Sequence, residues 1–211
     1  MENIFKENFK FIKNTFGSND DNLKFTIKII NGKYVTDIFR GYDINNSFYE
    51  YEYINNTAFD EIMNNNKKYF YADNLEDLYK IGKYKNPRIK NKSEEWKECW
   101  SGYDNDDKTD NYYNSTLVIP MSITSDDEDK ESSFFKAFFE ETDKDIPTRT
   151  IWGFICFDSK KTDYFKNLNL ENSNFIDLGY IISDILSIYL VYFYNYTITS
   201  NTIIEYEESL K

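Results

Sequence analysis

The sequence predicts an α+β domain, an antiparallel β-sheet with helices packed on it. Three observations carry that prediction. Phe25, Ile27 and Ile29 alternate with polar residues, Asn31-Gly32 follows, and Tyr34 to Phe39 returns, which is the pattern of a hairpin. Thr150 to Asp158 is apolar on both faces, with Ile151, Gly153, Ile155 and Phe157 on one and Trp152, Phe154 and Cys156 on the other, as a central strand covered on each side requires. Apolar residues recur at helical spacing towards both ends of the chain. Helix, hairpin, short helices, second hairpin and closing helix together describe helices layered on a sheet.

The elements follow in order. Ile4, Phe5, Phe9, Ile12 and Phe16 line one side of an opening helix over residues 3–16, which Gly17 and the polar run after it end. Asn31-Gly32 supplies the positive-φ pair of a type I′ turn in the first hairpin. Phe48 to Tyr53 alternates aromatic and acidic residues and suits an edge strand. Asn56 or Thr57 caps a short helix bearing Phe59, Ile62 and Met63, Tyr69 to Ala72 is a short strand, and Asn74 caps the helix of Leu75, Leu78 and Ile81, which Gly82 ends. Lys83 to Asn111 reads as loop with one helical piece from Glu94 to Trp100. Tyr112 to Ile123 is a strand that Pro120 confines to its end or to a sheet edge. A helix-like piece, Phe134 to Glu141, lies between the strands of the second hairpin.

The closing helix runs from about Ser173 to Tyr194, with a heptad-like series of Phe175, Leu178, Ile182, Ile185, Tyr189 and Tyr192. A second row, Ile181, Leu186, Ile188, Leu190 and Phe193, makes the apolar surface wider than one core-facing stripe needs. That surplus predicts a homodimer. The resulting division is a helix over residues 1–22, one domain over 23–196 and an acidic tail over 197–211.

Composition narrows the function. The 211 residues are 40% apolar and 19% aromatic, enough to build one core. Twenty-five basic against 37 acidic side chains give a net charge of −12, which opposes binding to nucleic acid or to an anionic membrane surface. Lys83, Lys85, Arg88, Lys90 and Lys92 form the nearest thing to a basic cluster, and Glu94, Glu95 and Glu98 offset it, so this stretch reads as a solvated loop. The amino-terminal residues lack a secretory core, and the longest apolar run, Ile185 to Tyr194, is about half of the roughly 20 residues that span a bilayer. A cytoplasmic location and two free thiols, Cys99 and Cys156, are expected.

Tyr112-Tyr113-Asn114-Ser115-Thr116-Leu117-Val118-Ile119-Pro120, then Ile151-Trp152-Gly153-Phe154-Ile155-Cys156-Phe157-Asp158-Ser159, then a long amphipathic helix, resemble the later half of the GAF family. The resemblance implies an antiparallel sheet of about five or six strands in which these two strands are neighbours. It also implies a closing helix on the side away from a ligand pocket, one that frequently dimerises. Departures narrow the ligand. Asn55, Asn56, Phe59, Asp60 and Glu61 only compress the Asn-Lys-Phe-Asp-Glu signature of cyclic-nucleotide-binding members and lack its Lys; no Cys-His pair exists to hold a bilin; and two Cys in unmatched places do not suit methionine-sulfoxide reduction.

The chemistry available to the chain points the same way. With no histidine, Ser-His, Cys-His and His-metal mechanisms are excluded. Asp104, Asp106, Asp107 and Asp110 mimic a calcium loop, but Lys108 occupies a ligand position and the loop's glycine and distal glutamate are missing. No Gly-rich phosphate loop exists. The expectation is a non-enzymatic sensor or regulatory binder with no catalytic residue, metal or cofactor. The resemblance places Trp96, Trp100, Tyr103 and Tyr112 around its pocket, where they either stack on a small molecule, with Ser115 and Thr116 offering hydroxyls, or simply pack the lid of an aromatic-rich domain. The alternative is a pocketless structural or protein-interaction module with an acidic surface.

Overall fold

The structure, a computed structural model, describes residues 23–40, 50–90, 92–100, 112–124, 149–167, 176–177, 179–189 and 192. The expected opening helix, the piece at 134–141 and the tail from 197 lie outside these residues. Among the described residues there are six strands: β1 (Leu23–Asn31), β2 (Tyr34–Arg40), β3 (Glu50–Glu52), β4 (Phe70–Ala72), β5 (Ser115–Thr124) and β6 (Arg149–Ser159). The helices are α1 (Thr57–Met63), α2 (Leu75–Lys80), α3 (Trp96–Cys99) and α4 (Tyr164–Asn167), followed by α5, helical at 176–177, 179–189 and 192. The strands form one antiparallel sheet in the order β3-β2-β1-β6-β5-β4. The fold is therefore α+β, and β6 lies in the middle beside β5.

Local signals place the short helices. Asn56 Oδ1 accepts from the Ala58 amide at 3.0 Å and starts α1. Asn74 Oδ1 accepts from the Asp77 amide at 3.1 Å while its amide group donates to the Asp77 carboxylate at 2.6 Å, and α2 begins there. Gly82, at φ +73, follows the end of α2, where the left-handed conformation favours glycine.

The first hairpin differs from the expected turn by one residue. Asn31 pairs with Tyr34, so the loop is Gly32-Lys33, and Gly32 at φ +58 carries the positive φ there, the pattern of a type II′ turn. A register shift farther along leaves Ile38 as an extra residue in β2.

Pro120 lies inside β5 rather than at its end. It is tolerated because β4 pairs only with Thr116–Val118, so among the described residues the later part of β5 has an open edge on that side. The Pro120 carbonyl is occupied from outside the sheet, accepting from Ser183 Oγ of α5 at 2.9 Å.

Both faces of the sheet are covered. On one, Leu23, Phe25, Ile27, Leu117, Ile119, Ile155 and Phe157 pack with Phe165 and with Ile182 and Leu186 of α5. On the other, Val35, Val118, Phe154 and Cys156 pack with Phe59 and Ile62 of α1 and with Trp96 and Trp100. Phe59 stacks on Phe154 with ring centroids 4.4 Å apart, fixing α1 to the sheet. The strict alternation expected through β6 breaks near its start: Met121 opposes Gly153 but Ser122 opposes Ile151, so Trp152 is an extra residue. Ile151 consequently joins the cluster under α1 and Trp152 the cluster under α5, the reverse of the expected faces.

The stripe that α5 buries also differs from the heptad-like series. Gly179, Ile182, Ser183, Leu186 and Ser187 face the protein, whereas Ile181, Ile185, Ile188, Tyr189 and Tyr192 are exposed. The small residues matter because α5 lies close on the sheet: a Cβ on Gly179 would collide with Ile119 Cδ1.

A Cβ on Gly153 would collide with the backbone carbonyl of Lys28 on the adjacent strand as well as with Met121 Cε. Backbone cannot yield as a side-chain tip can, so Gly153→Ala is expected to cost about 1–3 kcal/mol or more. Gly179→Ala should cost less, since one flexible methyl must move and helix propensity returns about 1 kcal/mol. Urea midpoints at unchanged slope check this; equal losses for the two variants would contradict it.

Candidate functional site

Three polar residues of β1 lie on a covered face. Lys24, Thr26 and Lys28 alternate with Leu23, Phe25 and Ile27 and line a cavity under α1, so the polar face of this strand is covered too. Ladder register sets what stands beside each. Lys28 opposes Asp37 of β2, Thr26 opposes Cys156 of β6, and Lys24 opposes Asp158, which in turn opposes Thr116 of β5. These side chains form the floor.

Lys28 Nζ donates to Asp37 Oδ1, and the two side chains are only 12% and 6% exposed. The ammonium also lies 5.6 Å from the centre of the Tyr51 ring. Burial alone would lower the lysine pKa, but the Tyr51 oxygen and the Asp37 carboxylate hold it above the usual range, so Lys28 stays charged. At the other end Thr116 Oγ1 donates to Asp158 Oδ1 at 2.6 Å, while burial pushes the Asp158 carboxyl upward against that bond and the nearby Lys28 and Arg88.

The wall opposite the floor is a hydrogen-bonded trio. Asn86 Nδ2 donates to Tyr113 Oη at 2.7 Å and to Tyr84 Oη at 3.1 Å, and the two phenols lie 3.4 Å apart. Asn86 Oδ1 accepts from the Arg88 amide at 3.0 Å, which locks the orientation of the side-chain amide and brings the Arg88 position to the cavity. Burial raises the pKa of both phenols, so they remain protonated and act as donors. Burial likewise pushes the Cys156 thiol well up, leaving it an inert part of the floor.

The cavity has a volume of about 30 Å³. That is space for a few waters. A nucleotide does not fit without movement of the walls. Among the described residues, no group of three or more Cys, Asp or Glu is arranged to hold a metal ion, and no helix is long and apolar enough to cross a membrane.

Of the residues expected to hold a ligand, Thr116 lines the cavity. Trp96 and Trp100 stand behind its wall: Trp96 Nε1 donates to the Tyr113 carbonyl at 2.9 Å, and the Trp100 ring lies 4.4 Å from that of Tyr113. Tyr112 is half-buried outside the cavity, with Lys160 Nζ 5.7 Å from its ring centre. Ser115, fully buried, donates to the Lys161 carbonyl at 2.8 Å. Tyr103 lies outside the described residues. The stretch expected to be a solvated loop is one, with Lys83, Lys85, Lys90 and Lys92 exposed, but Asn86 and Arg88 within it line the cavity, and β1, β2 and β6 add Thr26, Lys28, Asp37 and Asp158.

No protein-family model, curated protein or solved structure matches the chain significantly.

Removing Asp37 would leave a buried lysine without its carboxylate. Asp37→Ala is therefore expected to destabilise by about 3–5 kcal/mol, and adding Lys28→Met should restore a large part of the loss. Chemical denaturation of the two single variants and the double variant measures the coupling. A double variant no more stable than Asp37→Ala would remove the ion pair from this account.

Proposed function

We propose that the chain is a GAF-like sensing domain, not an enzyme, that holds a small polar molecule in the cavity bounded by Thr26, Lys28, Asn86 and Tyr113. The observation that carries this reading is a covered, charged and incompletely filled space in a sheet face otherwise closed by apolar packing. Two features of the resemblance support it. β5 and β6 are neighbours, and α5 packs on the sheet face away from the cavity.

The same reading makes the protein a cytoplasmic homodimer joined through α5. Ile181, Ile185, Ile188 and Tyr192 follow a four-three-four spacing on the exposed side, with Ile188 at 69% and Tyr192 at 75% exposure. Asp177 and Asp184 flank that stripe seven residues apart. Two copies of α5 running antiparallel would set acid against acid, whereas a parallel pair sets Asp184 near the partner's Tyr189. A second copy in parallel is thus the occupant that the charges favour. Ligand binding would regulate the protein only by favouring one packing of the paired helices over another.

The small size of the cavity favours a second reading, a protein-interaction module whose cavity holds only water. Native mass spectrometry of protein purified from its own host separates the two. A stoichiometric small molecule lost on Asn86→Ala is expected from the first, and its absence from every preparation favours the second. Light scattering at tens of micromolar is expected to give twice the mass of the chain, falling to the chain's own mass for Ile188→Asp; a monomeric parent would remove the dimer.

A further inference from the structure

The ligand class can be taken further, on the reading that the cavity binds a small molecule. Hydrogen-bond accounting at its wall leaves donors over. Tyr84 and Tyr113 carry two phenolic protons, and the contact between the phenols uses one at most. Asn86 is a donor to both oxygens and so takes neither proton. At least one phenol O–H therefore has no acceptor among the described residues. Both tyrosines are more than nine-tenths buried, and both line the cavity.

The floor adds further donors. Thr26 is 4% exposed and lines the cavity, and among the described residues its hydroxyl has no hydrogen-bond partner. Lys28 carries three N–H groups, of which Asp37 accepts one and the Tyr51 face attracts the ammonium. The lining brings Lys24, Lys28 and Arg88 together with Asp37 and Asp158, in a chain whose overall charge is −12. Each acid is already engaged: Asp37 accepts from Lys28, and Asp158 accepts from Thr116 and lies opposite Lys24 on the ladder. A buried donor left unmade costs about 1–3 kcal/mol, so an occupant that accepts several hydrogen bonds and carries negative charge is selected over a neutral or cationic one.

We infer that the cavity binds a small monoanion of two to four non-hydrogen atoms, a short carboxylate or a planar oxyanion, through the Lys28 ammonium, the Thr26 hydroxyl and a phenol of the Tyr84–Tyr113 pair. The space available sets the size, since it holds only a few waters. The phenols and Thr26 supply the directional contacts, and Lys28 supplies the charge.

The test is calorimetric titration of the full chain with sodium formate, acetate and nitrate at constant ionic strength, with chloride and benzoate as controls. At least one of the three small anions is expected to bind saturably with one site per chain, and benzoate is expected not to bind. Thr26→Val keeps the side-chain shape and removes the hydroxyl; it is expected to weaken binding roughly ten- to hundredfold, as is the double variant Tyr84→Phe/Tyr113→Phe. Circular dichroism of each variant establishes that it is folded, and either variant alone suffices for the comparison. Absence of saturable binding by all three anions, or unchanged affinity in a folded variant, overturns the inference. A neutral or larger copurifying molecule that Thr26→Val releases would overturn the anion class while leaving the binding reading intact. If no small molecule of any kind binds, both fall together.

Discussion

A sheet covered on both faces can carry charge inside only where the charge has a partner across the ladder, and that constraint organises this domain. β1 has an apolar side against α5 and a polar side under α1. Lys28 on the polar side is held by Asp37, directly opposite on β2. Taking two charges out of water costs several kcal/mol for each ion, and the hairpin register places them close enough to offset that cost. The exchange of a hydrophobic pair for an ionic one leaves space, fixed charge and unused donors on a face that would otherwise close.

The two faces divide the work. Against α5 the sheet is apolar and closely packed, with Phe25 and Phe157 at 5.2 Å between ring centres and small residues on the helix allowing close approach. Under α1 the packing is split: aromatic rings close one part, from Phe154 through Phe59 to Tyr51, and polar groups occupy the rest. Trp96 and Trp100 do not reach the open space. They brace Tyr113 from behind, and Tyr113 with Asn86 fixes where a donor points. Residues outside the cavity thereby control its geometry.

How far the sequence could be read follows from this division. The alternation of β1, the two apolar faces of β6 and the Asn caps of α1 and α2 depend on local patterns and were legible. The ion pair was also accessible, by arithmetic on the turn. Centring the hairpin on Asn31-Gly32 sets Lys28 opposite Val35, whereas centring it on Gly32-Lys33 sets Lys28 opposite Asp37, as observed. A shift of one residue hid the charge partner. The 83–92 segment was legible as a loop with exposed lysines, but counting charge along the chain cannot reveal that Asn86 turns inward and is 7% exposed. The stripe of α5 was obscured because the sheet selects Gly179, Ser183 and Ser187, which are small, over the larger apolar residues that periodicity weighs.

The extra residue at Trp152 divides β6 into two stretches of opposite parity. Ile151 before it shares a side with Phe154 and Cys156 after it. Losing one residue at 152 would iron out the irregularity and leave everything downstream facing as it does now. Losing one between 154 and 158 would instead carry Asp158 through to the side roofed by α5, into hydrocarbon with no cation opposite. Within one strand of 11 residues, tolerance to a change of length thus runs from slack at the start to none near the end.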